Sequence, residues 1–349
     1  MIGLDIGNGN TKWTTDGKIV YTIPSVVSTA YFGEDDDEIF TSSRSLSELA
    51  LEWKDGEQRK RFIVGERALR EDSQATRTMA ADRISRDEFK ALLGAVILAT
   101  SHEEQKVIFS GLPYTATKEQ REKFRQMILE FRGPLKGLAG SIKGHRWLNK
   151  IVSANVFRQA EAMIFDAVFQ IKDDKIVPIR DQVLLEIPGT RVAVVDIGYG
   201  TTDVIVCEIL PEFKVIKELS FTLPLAVNTV GNRISREFQR QFGEDRLDSR
   251  RLDYVIRGQK ITHGGQILDL SPTRDQTIKS IGGQIRDQIA EKWGQAIRSI
   301  HVAYLGGGGA ELFQNTMVGQ IHPNVFKIED PQGSNARGYF KMQYFLNIG

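Results

Sequence analysis

Asp5 is followed by Gly7, Asn8, Gly9, Asn10, Thr11 and Lys12 in the stretch LDIGNGNTKW, and Asp196 by Gly198, Tyr199, Gly200, Thr201 and Thr202 in VVDIGYGTTDVIV. Asp-Ile-Gly-x-Gly-x-Thr therefore occurs twice at identical spacing. Glycines in a turn leave no Cβ between backbone and ligand, so adjacent N–H groups form a concavity that holds an anion. Each hydrogen bond to a charged oxygen is worth about 1.5–3 kcal/mol, and several together hold a triphosphate. A carboxylate at the mouth of such a turn would repel bare phosphate. Beside Mg²⁺, which is held by one or two carboxylates plus phosphate oxygens, it makes sense, so Asp5 and Asp196 are the candidate metal residues. Lys12 could neutralise β- or γ-phosphate charge.

A third glycine cluster, Gly306 to Gly309 in AYLGGGGA, follows an apolar strand and precedes a helical stretch. Backbone laid flat on a purine, or a helix N-terminus facing phosphate, fits that context better than a linker. Neither a P-loop nor a dinucleotide fingerprint is present, because no Gly-x₄-Gly-Lys-Ser/Thr occurs and the hairpins lead into strands, not helices.

The elements that must position these residues are legible in part. MIGLDIG, TKWTT and KIVYTIP read as a three-strand meander, with Asp16-Gly17 as a turn. RVAVVDIG, TDVIVCEIL and EFKVIKELSF read as another. A further hairpin is expected at Asp55-Gly56, a helix over 85–100, and a strand at QKVIFSGLP. Thr117 caps a helix with Gln120 three positions on, and KIVSANV leads into the helix RQAEAMIFDAVFQ. Residues 229–300 are mostly helical, with turns expected at THGGQ and SIGGQ, and a helical stretch ARGYFKMQYFLNI ends the chain. The acidic run GEDDDEI, residues 33–39, reads as a solvated loop. With 191 residues separating Asp5 from Asp196 in a chain of 349, the repeat has the scale of a duplicated domain.

Composition narrows the function classes. Charged residues are 26% and hydrophobic residues 41%, the profile of a folded globular protein. A formal net charge of +1, from 46 basic and 45 acidic residues, offers no global field for nucleic acid or anionic membrane, so no direct nucleic-acid partner and no membrane are expected. The single cysteine, Cys207, and the polar opening residues favour a cytoplasmic protein. The longest apolar run, ALLGAVILAT, is half the roughly 20 residues that span a bilayer.

The duplicated hairpin plus the glycine-rich turn resembles the actin, sugar-kinase and heat-shock-chaperone ATPase superfamily, and the match spans nearly the whole chain. The resemblance implies an α/β protein of two actin-like (ribonuclease-H-like) domains, each a mixed five-stranded sheet with helices, facing across a nucleotide cleft. Domain I would comprise 1–155 plus 325–349, with an insertion at about 25–100. Domain II would comprise 156–324, with an insertion at about 225–298. It also implies ATP, with GTP possible, and Mg²⁺ as cofactors, Asp196 as acceptor of the attacking water's proton, and Gln159 as the residue that orients that water, with Glu161 as the competing candidate. Tyr199 stands where eukaryotic actin has a second aspartate, which argues for a prokaryotic branch. FIVGERAL, FSGLPYTATKEQREKF and DPQGSNARGYF resemble the plasmid-segregation actins, the ParM/StbA group. That group implies an NTP hydrolase that polymerises on nucleotide binding, with its own protomers and a centromere-binding adaptor as partners. A sugar or small-molecule kinase of the same fold, or a cytoskeletal homologue with another cargo, is the alternative.

Overall fold

The computed structural model describes residues 1–29, 44–71, 86–100, 105–179, 187–209, 213–243 and 246–346. The acidic run at 33–39 lies outside them. Contacts divide the chain into two compact units, one of 1–112 and 116–158, the other of 113–115 and 159–349.

Among the described residues the first unit holds two five-stranded sheets. One is built from β1 (Ile2–Ile6), β2 (Asn10–Thr14) and β3 (Tyr21–Pro24) as an antiparallel meander. The other contains β4 (Val27–Ser28), β5 (Ala50–Asp55), β6 (Gln58–Val64), β8 (Leu135–Ala139) and β9 (Arg146–Trp147). The meander is extended by β7 (Lys106–Leu112), parallel to β1, and β10 (Ile151–Arg158), parallel to β7. The expected hairpins at Asp16-Gly17 and Asp55-Gly56 are present, and both glycines have positive φ, the conformation such turns demand. Helices α1 (Glu66–Glu71), α2 (Asp87–Ala99) and α3 (Lys118–Glu130) complete the unit. The apolar run ALLGAVILAT forms most of α2 and is buried, and Thr117 and Gln120 form the expected capping box at α3.

The second unit begins with α4 (Gln159–Val168), and a two-stranded ribbon of β11 (Phe169–Lys172) and β12 (Lys175–Pro178) follows. Its main sheet repeats the first unit's order. β13 (Arg191–Ile197) and β14 (Thr202–Glu208) are antiparallel, and the far edge of β14 is covered by two short strands, β15 (Lys214–Val215) and β16 (Phe221–Leu223). The segment expected as one strand, EFKVIKELSF, is interrupted by a 3₁₀ turn at Lys217–Leu219, so among the described residues it pairs with β14 as two short strands. β17 (Ile261–His263) and β18 (Gln266–Leu268) flank the expected THGGQ turn. β19 (Ile300–Gly306) runs parallel to β13, and β20 (Val325–Lys327) runs parallel to β19. A three-strand meander followed by two parallel additions therefore occurs twice, so the duplication extends from the motif to the topology.

The central strands of this sheet are buried on both faces, and period-two alternation sorts their residues. Val195, Ile197, Val204 and Leu305 join a core with α5 (Val227–Phe242), α6 (Ser249–Ile256), α7 (Ser271–Trp293) and α8 (Ala310–Met317). Val192, Val194, Ile205 and Val302 join a separate core with Met163 and Ile164 of α4. The turn expected at SIGGQ is absent. Gly282 and Gly283 lie inside α7, because a Cβ at Gly282 would come within 2.2 Å of Thr316 Oγ1 on α8: the glycine serves close helix packing, not a chain reversal.

The last helix, α9 (Ser334–Leu346), packs on α4. Gly338 lies so close that a Cβ there would stand 1.9 Å from the Ala162 carbonyl oxygen. Arg337 makes a two-pronged ion pair with buried Asp166 of α4, and Lys341 Nζ reaches the same carboxylate at 2.6 Å. These contacts tie α9 to α4, in the second of the two units. Among the described residues no helix is long and apolar enough to cross a membrane.

Candidate functional site

In the first unit the motif occupies the β1–β2 connection. Gly7 N–H donates to the Asn10 carbonyl at 3.1 Å, closing a turn over Asn8 and Gly9, and Ser25 N–H donates to the Gly9 carbonyl at 3.0 Å. A Cβ on Gly7 would lie 3.0 Å from that Asn10 oxygen, so the tight turn favours glycine. Asp5 and Lys12 are directly opposed across the strands, and Lys12 Nζ donates to Asp5 Oδ2 at 2.7 Å. Both side chains are buried. The residues read separately as metal ligand and phosphate cation are thus one ion pair. Thr11 is fully buried, with its hydroxyl 2.9 Å from that of Ser25.

The second unit repeats this geometry. Gly198 N–H donates to the Thr201 carbonyl at 2.9 Å, and a Cβ on Gly198 would again meet that oxygen at 3.0 Å. The turn over Tyr199 and Gly200 is docked onto the start of α5, where Asn228 N–H donates to the Tyr199 carbonyl at 2.9 Å. Thr202, like Thr11, is buried, and its hydroxyl donates to the Leu225 carbonyl at 2.7 Å. The motif threonines hold their hairpins in place through these bonds. The strand register puts Asp203 opposite Asp196, where the first unit has Lys12 opposite Asp5. Burial pushes the Asp203 carboxyl up, while the Thr222 hydroxyl, which donates to it, acts in the opposite direction. Aligning the two motifs, GNTK against GTTD, exposes this swap of lysine for aspartate.

The glycine run converges on the same hairpin. Gly307 has φ +83°, and a Cβ there would fall 2.2 Å from Asp196 Oδ1 and 2.5 Å from the Ile197 carbonyl oxygen. A Cβ on Gly309 would strike the Ile197 and Val227 side chains, and one on Gly306 would strike Met163 Sδ. Gly308 is exposed and open. Gly309 N–H donates to the Ile197 carbonyl at 2.8 Å, which fixes the start of α8 beside the end of β13. Asn335, at the start of α9, donates from Nδ2 to Asp196 Oδ2 at 3.0 Å. In the sequence its stretch, DPQGSNARGYF, carries only the family resemblance; its place beside Asp196, 139 positions away, is a product of the fold.

Gln159 and Glu161 open α4, and both are half-buried. Residues two apart on a helix do not share a face, whereas i and i+4 do. By that spacing Gln159 shares a face with Met163, the residue packed beneath Gly306, and Glu161 does not. The second unit thus gathers the Asp196 hairpin, Gly306 to Gly309, Asn335 and the start of α4, while Asp5 through Lys12 form their own cluster in the first.

Two copies of one mixed sheet, each with a glycine hairpin after its first strand, define an actin-like fold. Residues 3–159 match the family model for actin-like proteins, N-terminal domain, and residues 194–319 match that for the archaeal actin homologue MreB-like, C-terminal. The chain belongs to the actin-like proteins. Among solved structures it is similar to a 15-stranded ParM filament from Clostridium botulinum, with TM-score 0.83, 22% identity and 98% of each chain covered. A non-polymerisable quadruple mutant of a ParM gives TM-score 0.80 at 22% identity, also over 98% of each chain. An archaeal actin homologue in complex with ADP gives TM-score 0.74 at 18% identity over 97% of each chain. No curated protein matches the chain in sequence.

Proposed function

We propose that this protein binds ATP or GTP with Mg²⁺, hydrolyses it, and assembles into filaments on nucleotide binding that come apart after hydrolysis, in the service of plasmid DNA segregation. The observation that carries the reading is the repeated hairpin: in both copies a glycine N–H bonds the carbonyl three residues on, and the turn so closed is a candidate phosphate cradle. The ADP complex of the archaeal homologue and the ParM filament, both similar in fold, support nucleotide binding and self-assembly. A centromere-binding adaptor would connect filament to DNA, because a net charge of +1 gives the protein no electrostatic hold of its own.

In this reading Gly7 to Asn10 and Gly198 to Thr201 bind phosphate oxygens through their backbone. Gly306 to Gly309 lie against the base and sugar. Carboxylate oxygens suit Mg²⁺, and Asp196, held by a neutral amide, fits it better than Asp5, whose charge Lys12 already balances. Bound Mg²⁺ would neutralise charge on the transferring phosphoryl group. Phosphoryl transfer is mostly positioning and electrostatics. Gln159 orients the attacking water and Asp196 takes its proton; the face shared with Met163 favours Gln159 over Glu161. Light scattering, pelleting and negative-stain imaging with Mg-ATP and Mg-GTP test the proposal: filaments are expected with nucleotide and none in chelator. Absence of filaments with both nucleotides, together with phosphorylation of members of a sugar panel, would move the reading to a kinase.

A further inference from the structure

Three stretches far apart in the sequence meet on one carboxylate of the second unit. Asp196 lies next to the end of β13, its Oδ1 against the Gly307 turn and its Oδ2 on Asn335 Nδ2 at 3.0 Å. A helix-capping asparagine would turn its side-chain oxygen to a backbone N–H two or three residues on. Asn335 does the reverse: it is 6% exposed, its nitrogen faces the carboxylate, and its Oδ1 is buried without a hydrogen-bond partner. Leaving a buried polar atom unpaired is unfavourable, so capping does not explain the residue. Its delivery to Asp196 is rigid, because α9 is fixed on α4 by the Asp166 ion pairs and by the close approach at Gly338.

We infer that Asn335 is a positioning residue for Asp196, holding the carboxylate in one orientation with Oδ1 turned to the glycine-lined side. The inference rests on the proposed role of Asp196 as acceptor of the water's proton. A carboxylate with one oxygen tied down cannot swing away from its substrate between turnovers, so the effect belongs in the chemical step and not in binding. It also separates Asn335 from the backbone cradle, which acts on affinity.

The test uses the full chain with Asn335→Ala, Asn335→Asp, Asp196→Ala and the Asn335→Ala/Asp196→Ala double variant. Affinity is read with a fluorescent ATP analogue and Mg²⁺, and the chemical step by single-turnover hydrolysis. Asn335→Ala is expected to slow hydrolysis about 10–100-fold, the usual effect of losing an orienting partner, with affinity nearly unchanged. Asn335→Asp, of the same shape but with an acceptor facing Asp196, should be at least as slow. In the Asp196→Ala background the alanine at 335 should cost nothing further. A wild-type rate in Asn335→Ala, or an equal loss in both backgrounds, overturns the inference while leaving nucleotide hydrolysis intact. If the wild-type protein hydrolyses neither nucleotide, the functional reading fails instead. The contact is then judged by nucleotide-free thermal unfolding, where Tm losses that are less than additive retain the coupling and additive losses refute it.

Discussion

At the scale of single residues, the four consecutive glycines look equivalent in the sequence and are not. Gly307 combines positive φ with no room for a Cβ beside Asp196 Oδ1, whereas a Cβ on Gly308 would meet nothing nearer than Gln332 Cγ at 4.0 Å. Gly307→Ala is therefore expected to destabilise the second unit by about 1–3 kcal/mol, through overpacking and an unfavourable φ. The same substitution should weaken nucleotide binding by disturbing the glycine run proposed to lie against base and sugar. Gly308→Ala should change stability little. Urea unfolding and nucleotide titration of the two variants check the contrast. Asp5, Lys12, Asp196 and both motif threonines could be read from spacing, but spacing could not say which groups they touch. The ion pair of Asp5 with Lys12 follows from cross-strand register, and the bond from Asn335 to Asp196 follows from tertiary packing.

At the scale of elements, sequence reading succeeds where local physics decides and fails where packing does. Asp-Gly turns, the Thr117 capping box and the apolar run of α2 carry their own signals, and each forms as expected. SIGGQ carries a turn signal that the structure overrides: a 23-residue helix passes through it, and the two glycines have opposite reasons to be there. A Cβ at Gly282 would crowd Thr316 on α8, at 2.2 Å from its Oγ1 and 2.8 Å from its Cβ, while Gly283 has open space. Gly282→Ala should thus destabilise by about 1–3 kcal/mol. Gly283→Ala should stabilise by roughly 0.8–1 kcal/mol through helix propensity alone. Opposite shifts in Tm for adjacent, chemically identical substitutions would confirm the packing account, and shifts of one sign would refute it.

At the scale of the whole molecule, the duplication seen in two short phrases extends to the order and direction of the strands around them. The division of the chain is less visible. Nothing local in ARGYFKMQYFLNI says which unit it joins; the partners of Arg337 and Lys341 say it, because both reach Asp166. Asp166→Asn would leave two cations buried without their common anion, at a cost of about 3–5 kcal/mol. Urea unfolding should show that loss, and Asp166→Asn within 1 kcal/mol of wild type would mean the cluster is solvated and not the anchor of α9. By itself, the sequence determined the hairpins, most helices, the duplicated fold class and the list of residues able to hold a phosphate chain, since turn chemistry, periodicity and repetition act over a few neighbouring positions. Only the tertiary structure decided that Lys12 neutralises Asp5, that Gly282 serves a helix contact and that Asn335 meets Asp196, because those outcomes depend on strand register or on which surfaces close-pack between elements well separated in the chain.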